Sequence, residues 1–421
     1  MYDYDMRRPR NSGHQFLSMV LAGGEGKRLF PLTAERAKPA VPFGGRYRII
    51  DVVLSNLVNS GFTRIKVLTQ YKSASLEEHI ARAWRLSPVL DNYIEAIPAQ
   101  QRTGLNWFLG SADAVWQCWN VVQDAHADTL LIFGGDHVYK MDVRQMLDQH
   151  FETGADLTVA AVPVPRADAK SFGVIQVDAE GRVIDFVEKS DTPPEMPGRP
   201  GWCLASMGNY IFDVPVLEDE LRRDQHDEHS AHDFGKSILP AMVAQGRRVY
   251  SYDFGKNSIL GEENPAYWRD IGTIETYFDA NLDLVSIKPE FNLYNPRWPL
   301  RTGMSFDPPA KFVFSDQASS RVGLATDSMV TDGCIISGGQ IYTSVLSNRV
   351  RVNSFAQVEQ CILLEGVQVG RYARLRRTIV DKGVSIPAGM SIGFDPDEDR
   401  RRGLHVSDTG IVVIAKGAHL A

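Results

Sequence analysis

Beyond Val322 the chain abandons helical patterning for short runs of β-branched residues, at 334–338, 367–370, 378–381, 384–387 and 390–393, separated by Gly, Asn or Asp. Aliphatic side chains there recur irregularly about every six positions, notably Val369, Leu375, Ile379, Val384, Ile386 and Ile392, and a repeat of that length winds into a parallel β-helix whose coils stack aliphatic on aliphatic. The expectation is a left-handed parallel β-helix over 322–421. A small antiparallel sandwich is the alternative that the same runs allow.

Upstream the pattern is different. From Phe16 to about Val285, strand-like runs at 64–69, 129–133, 157–162 and 248–252 alternate with helical stretches such as 112–122, where Val115, Trp119 and Val122 share one face. That alternation implies an open, mostly parallel α/β sheet. Pro289, Pro296, Pro299, Pro308 and Pro309 then break all periodicity. The expected organisation is a flexible arm at 1–15, an α/β domain at 16–288, a linker at 289–321 and the β-helix. A chain of 421 residues, 43% of them hydrophobic, is long enough to bury two cores.

Composition excludes several classes. No apolar run approaches the roughly 20 residues of a membrane span, and residues 2–14 are polar, with an Arg7-Arg8 pair but no apolar stretch after it. A cytoplasmic protein without a membrane partner is expected. Cys118, Cys203, Cys334 and Cys361 lack C-x-x-C spacing, which points to reduced thiols rather than a zinc site or a disulfide framework. The net charge of -7 argues against nucleic acid as a partner.

Against that acidic background stands one basic segment. Leu21-Ala22-Gly23-Gly24-Glu25-Gly26-Lys27-Arg28-Leu29 follows an apolar strand, and Arg36, Lys38, Arg46 and Arg48 come soon after. Glycines let backbone N–H groups approach an anion that a Cβ would hold off, and local positive charge on an acidic chain points to a small polyanion. A Walker A loop needs Ser or Thr where Arg28 stands, and a dinucleotide fingerprint needs a third glycine where Leu29 stands. A plain glycine turn with solvated charges is the alternative for the loop taken alone.

Further along, Phe133-Gly134-Gly135-Asp136-His137 puts a carboxylate just past a very apolar strand, at the edge where open α/β sheets bind ligands. Tyr267-Trp268-Arg269-Asp270 supplies another before a helix starting at Thr273. Magnesium takes one or two carboxylates together with substrate phosphates, so Asp136 and Asp270 suffice for one Mg²⁺; taken singly, each reads equally as a cap. His226, His229 and His232 sit in a polar loop with no apolar frame and read as solvated. His137 reads as a packing neighbour of Asp136 rather than a base.

In order along 16–416, the loop, Arg36-Ala37-Lys38-Pro39, Ile49-Ile50-Asp51, Thr69-Gln70-Tyr71, Pro98-Ala99-Gln100-Gln101-Arg102, Gly110-Ser111-Ala112-Asp113, Gly135-Asp136-His137, Phe172-Gly173-Val174, Val187-Glu188-Lys189, Ala205-Ser206-Met207-Gly208 and Trp268-Arg269-Asp270 resemble the sugar-1-phosphate nucleotidylyltransferases, in particular the branch that makes ADP-glucose. The resemblance implies a Rossmann-like nucleotidyltransferase domain that joins ATP to glucose 1-phosphate, giving ADP-glucose for glycogen and pyrophosphate.

It also implies roles. Arg28 and Lys38 would hold the triphosphate, with Leu21, Gly23, Gly24, Gly26 and Gln100 around the nucleotide. Asp136 and Asp270 would hold Mg²⁺. Lys189 would take the sugar phosphate, with Phe108, Gly173, Glu188 and Ser206 about the glucose. Arg36, Arg48 and Lys382 would bind an inhibitory AMP or ADP, Gln70 and Trp107 would couple the sites, and the assembly would be a homotetramer with a sugar phosphate activator. Glu25 stands where many relatives carry a base and Phe108 where many carry tyrosine. Glu35 replaces a lysine that binds sugar bisphosphate in enteric relatives, which implies a different activator such as fructose 6-phosphate. UTP-, dTTP- or GTP-using relatives and a non-catalytic regulatory subunit are the rivals.

Overall fold

The computed structural model describes residues 13–102, 106–188, 190–196, 198–263, 267–316 and 318–420; the expected arm lies largely outside them, as does Lys189. Four strands form the parallel heart of a nine-stranded sheet: β1 (Phe16–Ala22), β2 (Arg64–Thr69), β3 (Tyr93–Pro98) and β4 (Thr129–Gly134), in the order β3-β2-β1-β4. Helices cover both faces, so these strands are apolar on both sides. In β4, Leu130 and Ile132 enter one core while Leu131 and Phe133 enter the other.

The short ribbon strand β5 (His137–Tyr139) follows. The sheet then continues through β6 (Leu157–Pro165), β7 (Gly173–Val177), β8 (Val183–Glu188), β9 (Trp202–Asp213) and β10 (Val249–Asp253). Here the pairing turns antiparallel: β9 runs against β4, β6 and β7, and β7 against β8. Among the described residues, only β10 on β6 is parallel in this half. A last ribbon strand, β11 (Trp268–Asp270), pairs with β5 so that Asp270 faces His137.

Helix α1 (Ile49–Asn59) is buried along almost its whole length, and α2 (Ala74–Ala83) packs Leu76 and Ile80 inward. The helical stretch expected over 112–122 is interrupted: α3 (Ser111–Gln117) ends at Cys118, which leaves helical geometry, and a second short helix begins at Trp119. Val115, Trp119 and Val122 nevertheless all point into one core. Thr273 caps α4 (Ile274–Asp283) by accepting a hydrogen bond from the Thr276 N–H. Asp270 is therefore not the cap and is available to the cleft.

The C-terminal quarter is a parallel β-helix of three sheets, and its hexapeptide repeat is that of left-handed helices. Ile341 stacks on Val358, Val358 on Leu375 and Leu375 on Ile392, all buried. The first rung falls inside the expected linker, just past Pro309, where Lys311–Val313 pairs in parallel with Ile335–Ser337. No helix among the described residues is long and apolar enough to cross a membrane, and all four cysteines are buried free thiols.

The two domains share a continuous core. Ile362, Leu364, Ile379, Ile411 and Val413 of the β-helix belong to the same cluster as Val41, Ile49 and Phe278. Gly45 (φ 82°) turns the Pro42–Phe43/Tyr47–Arg48 hairpin against Thr331, where an added Cβ would stand 2.7 Å from the threonine methyl. Across this seam one Arg36 nitrogen donates to both Asp381 carboxylate oxygens, at 2.9 and 3.0 Å, with both side chains almost wholly buried.

Removing one partner of a buried ion pair strands the other charge. Asp381→Asn alone is expected to destabilise the protein by about 3 kcal/mol or more, whereas Arg36→Met with Asp381→Leu loses much less than the sum of the single changes. Denaturant titration of the singles and the double checks this; additive losses would contradict it.

Candidate active site

At the carboxyl ends of β1 and β4, Leu21 stands level with Leu68 on one side and Gly134 on the other. A cleft of about 700 Å³ opens there, lined by Leu21, Gly23, Gly24, Gly26, Arg28 and Lys38 on one wall. The loop after β1 tightens into a short turn, Lys27–Leu29, anchored by buried Leu29. Gly26 is required twice over: its φ is 65°, and a Cβ there would lie 2.9 Å from the Cβ of Lys38. The glycine thus lets the chain segment bearing Lys38 pack directly under the loop. Glu25 pairs with Lys27 at 2.9 Å, so the acid offsets the loop's first cation, while Arg28 turns towards Asp270.

Lys38 is the centre of the site. Its Nζ lies 3.0 Å from an Asp136 oxygen and 2.7 Å from an Asp270 oxygen, and only 7% of its side chain is exposed. Burial acts to lower its pKa, but Asp136 and Asp270 outweigh it and raise the ammonium above the ordinary lysine value. Burial in turn opposes ionisation of Asp136, and Lys38, then His137, overcome that and hold its carboxyl well below the usual range. Arg28 Nη2 reaches Asp270 at 3.4 Å. Gly135 lets this corner close, its N–H donating to the Leu21 carbonyl at 3.0 Å where a side chain would strike Ile50.

Ligand atoms of Asp136, His137 and Asp270 all lie within 4.8 Å of one another, so the cluster fits a divalent cation. The two carboxylates are hard oxygen donors of the kind such ions take. His137 packs edge-on to Trp268, at 5.2 Å between centroids, and its Nδ1 is buried without a hydrogen-bond partner.

Phe108, Phe172, Gly173, Glu188 and Ser206 form the opposite wall. Gly173 is again a matter of space, because a Cβ would stand 2.5 Å from Glu188 Oε2 and 2.4 Å from Phe186. Gln70 holds the Phe108 backbone from both sides: the Phe108 N–H donates to its Oε1 at 2.7 Å, and its Nε2 donates to the Phe108 carbonyl at 3.4 Å. Phe108 presents only carbon to the cleft.

Not every expected residue is in this wall. Gln100 lines a separate small cavity behind Phe108, together with Gln117 and Cys118. Trp107 is exposed, its carbonyl accepting from Gln117 Nε2 at 3.4 Å. Lys189, next in sequence to Glu188, lies outside the described residues. Arg36, Arg48 and Lys382 lie outside the cleft, at the domain seam: Arg48 donates to Ser75, and Lys382 pairs with Glu365 at 3.0 Å. Burial and then Arg48 lower the Lys382 pKa against the pull of Glu365.

The histidine loop contributes more than its composition implies. His226 and His229 are exposed, and His232 Nδ1 lies 2.8 Å from Asp224. The His232 carbonyl accepts from the Ala112 and Asp113 N–H groups, which docks the loop on the start of α3. Ser111 Oγ donates to Asp233 at 2.8 Å, and Asp233 and Gly235 line the cleft. Only the capping character of Asp233, which accepts from the Gly235 and Lys236 N–H groups, is visible locally. Its partner is more than 100 positions away.

A family profile described as nucleotidyl transferase matches residues 17–286, and one described as GlmU-like, C-terminal hexapeptide, matches 308–414. The chain is 56% identical over 405 residues to a glucose-1-phosphate adenylyltransferase of Anaeromyxobacter sp. (strain Fw109-5), covering 96% of this chain and 98% of that relative. Relatives of the same name from Parafrankia sp. (strain EAN1pec) and Thermus thermophilus are each 52% identical. The first aligns over 99% of this chain and 100% of its own, the second over 96% and 98%. A glycine loop, a buried lysine between two carboxylates and a β-helix thus come together in a chain that belongs to the nucleotidyl transferases and, within them, to the glucose-1-phosphate adenylyltransferases.

Proposed function

We propose that the cleft transfers the adenylyl group of ATP to the phosphate oxygen of glucose 1-phosphate. That oxygen attacks the α-phosphorus as the bond to the β-phosphate oxygen breaks, and the electron pair leaves with pyrophosphate, giving ADP-glucose. Two anions must meet in line, so positioning and cationic stabilisation carry the catalysis. The observation that supports this best is the Lys38 ammonium, fixed beside the glycine loop by two carboxylates.

Arg28 and Lys38 hold the triphosphate and stabilise charge on the departing pyrophosphate. Backbone N–H groups at Gly23, Gly24 and Gly26, with Leu21 and Gln100, receive the nucleotide. Glu188, Gly173, Ser206 and Phe108 receive the glucose, and Lys189 its phosphate. Asp136 and Asp270 hold Mg²⁺, which when bound neutralises phosphate charge.

The product serves as glucosyl donor for glycogen in the cytoplasm, and the assembly is a homotetramer under metabolite control. Arg36, Arg48 and Lys382 support the last point, being cations gathered at the domain seam. An adenine nucleotide inhibitor would meet that charge, with Gln70 and Trp107 relaying its presence and a sugar phosphate acting as activator.

Pyrophosphate release from glucose 1-phosphate and each nucleoside triphosphate in turn tests the reaction. Release is expected with ATP; release only with another triphosphate, or none, would contradict the assignment. Asp270→Asn is expected to raise the Mg²⁺ concentration for half-maximal rate by about tenfold or more, since even an outer partner of a metal ligand carries that much. An unchanged Mg²⁺ requirement would remove Asp270 from the metal.

A further inference from the structure

Each oxygen of the two carboxylates in the catalytic corner has a nitrogen against it. Asp136 Oδ2 and Asp270 Oδ1 share the Lys38 Nζ, at 3.0 and 2.7 Å. Asp136 Oδ1 lies 3.5 Å from His137 Nε2, and Asp270 Oδ2 lies 3.4 Å from Arg28 Nη2. Gly272 keeps the last of these contacts open, since a Cβ there would stand 2.9 Å from both Arg28 Nη2 and Asp270 Oδ2. Two carboxylates against an ammonium and a guanidinium leave these four groups with no net charge.

The same oxygens are the ones that a divalent cation needs. Mg²⁺ takes oxygen ligands at about 2.1 Å, closer than an ammonium approaches, and would bring two further positive charges within a few ångströms of Lys38 and Arg28. Repulsion of that kind is weakly screened where the lysine is buried. We infer that the Lys38 ammonium holds the metal's place in the nucleotide-free protein and excludes the metal until a triphosphate draws Lys38 and Arg28 off the carboxylates. This rests on the reading of the cleft as the adenylyl-transfer site. Metal and phosphates then balance each other's charge, and neither is accommodated well alone.

The exchange needs little movement. The Lys38 backbone is pinned, with Gly26 packed on its Cα and Cβ, Pro39 following it and Arg36 tied to Asp381 two residues before. Only the flexible side-chain stem can swing. It lines the cleft together with Gly23, Gly24 and Gly26, so a short arc carries the ammonium from the carboxylates towards the glycine loop. The Arg28 side chain, 62% exposed, is free to follow.

The test counts Mn²⁺ on the full-length, nucleotide-free protein through the electron paramagnetic resonance signal of the unbound ion. Asp136→Asn sets the background of ions bound elsewhere. The wild type is expected to bind no more Mn²⁺ than Asp136→Asn does. Lys38→Met is expected to bind about one further ion per chain, which Lys38→Met combined with Asp136→Asn loses again. Lys38→Gln repeats the count should the methionine variant unfold, and the wild-type arm needs no lysine variant. A wild type that already holds the further ion would place metal and ammonium on the pair together and overturn the exclusion. Folded Lys38 variants that bind no more than the wild type would overturn it equally. Because neither nucleotide nor sugar is present, the ion count can fail while ATP-dependent pyrophosphate release succeeds, which separates this inference from the reading it rests on.

Discussion

The ammonium of Lys38, held between Asp136 and Asp270, ties together three parts of the chain: the segment under the glycine loop, the end of a central parallel strand and a late ribbon. A buried ammonium is expensive unless paired, and here two carboxylates overcome the effect of burial and keep it charged. The same contact fixes the carboxylates at a separation that one cation can satisfy. Phosphate grip and metal cluster are therefore one structure. Moving any of the three segments disturbs both.

Two residues before Lys38, Arg36 makes the opposite connection. Its guanidinium crosses the seam to Asp381, while Ala37 between them is fully buried. Segment 36–38 thus carries one buried cation into the β-helix and one into the catalytic corner, with no slack between them. A shift of the β-helix rung bearing Asp381 has a short covalent route to Lys38. This gives the two-domain architecture a physical reason: the β-helix shares its core with the first domain and holds one end of the catalytic strap.

What was legible in the sequence follows the range of the signals. The glycine loop and Asp136 are written in contiguous residues at strand ends, and the aliphatic repeat announces its coils because each rung buries the same few positions. Strand direction is not encoded by an apolar run, so the antiparallel half of the sheet is invisible in β6 and β9. The break at Cys118 has no local cue in Gly or Pro. Asp233 and Gly235 reach the cleft only because a polar loop docks on α3, through backbone carbonyls that carry no sequence signature. Gln100, placed at the nucleotide by resemblance, lines a small neighbouring cavity that shares Phe108 with the cleft.

The most direct measurement is the turnover number of Lys38→Gln at saturating ATP, glucose 1-phosphate and Mg²⁺, alongside a check that its thermal unfolding is cooperative. If the ammonium stabilises charge on the departing pyrophosphate, kcat falls by roughly two orders of magnitude, about 3 kcal/mol of transition-state stabilisation. A folded variant with unchanged kcat would show that the lysine between the carboxylates serves only the fold, and the account of the site would fail at its centre.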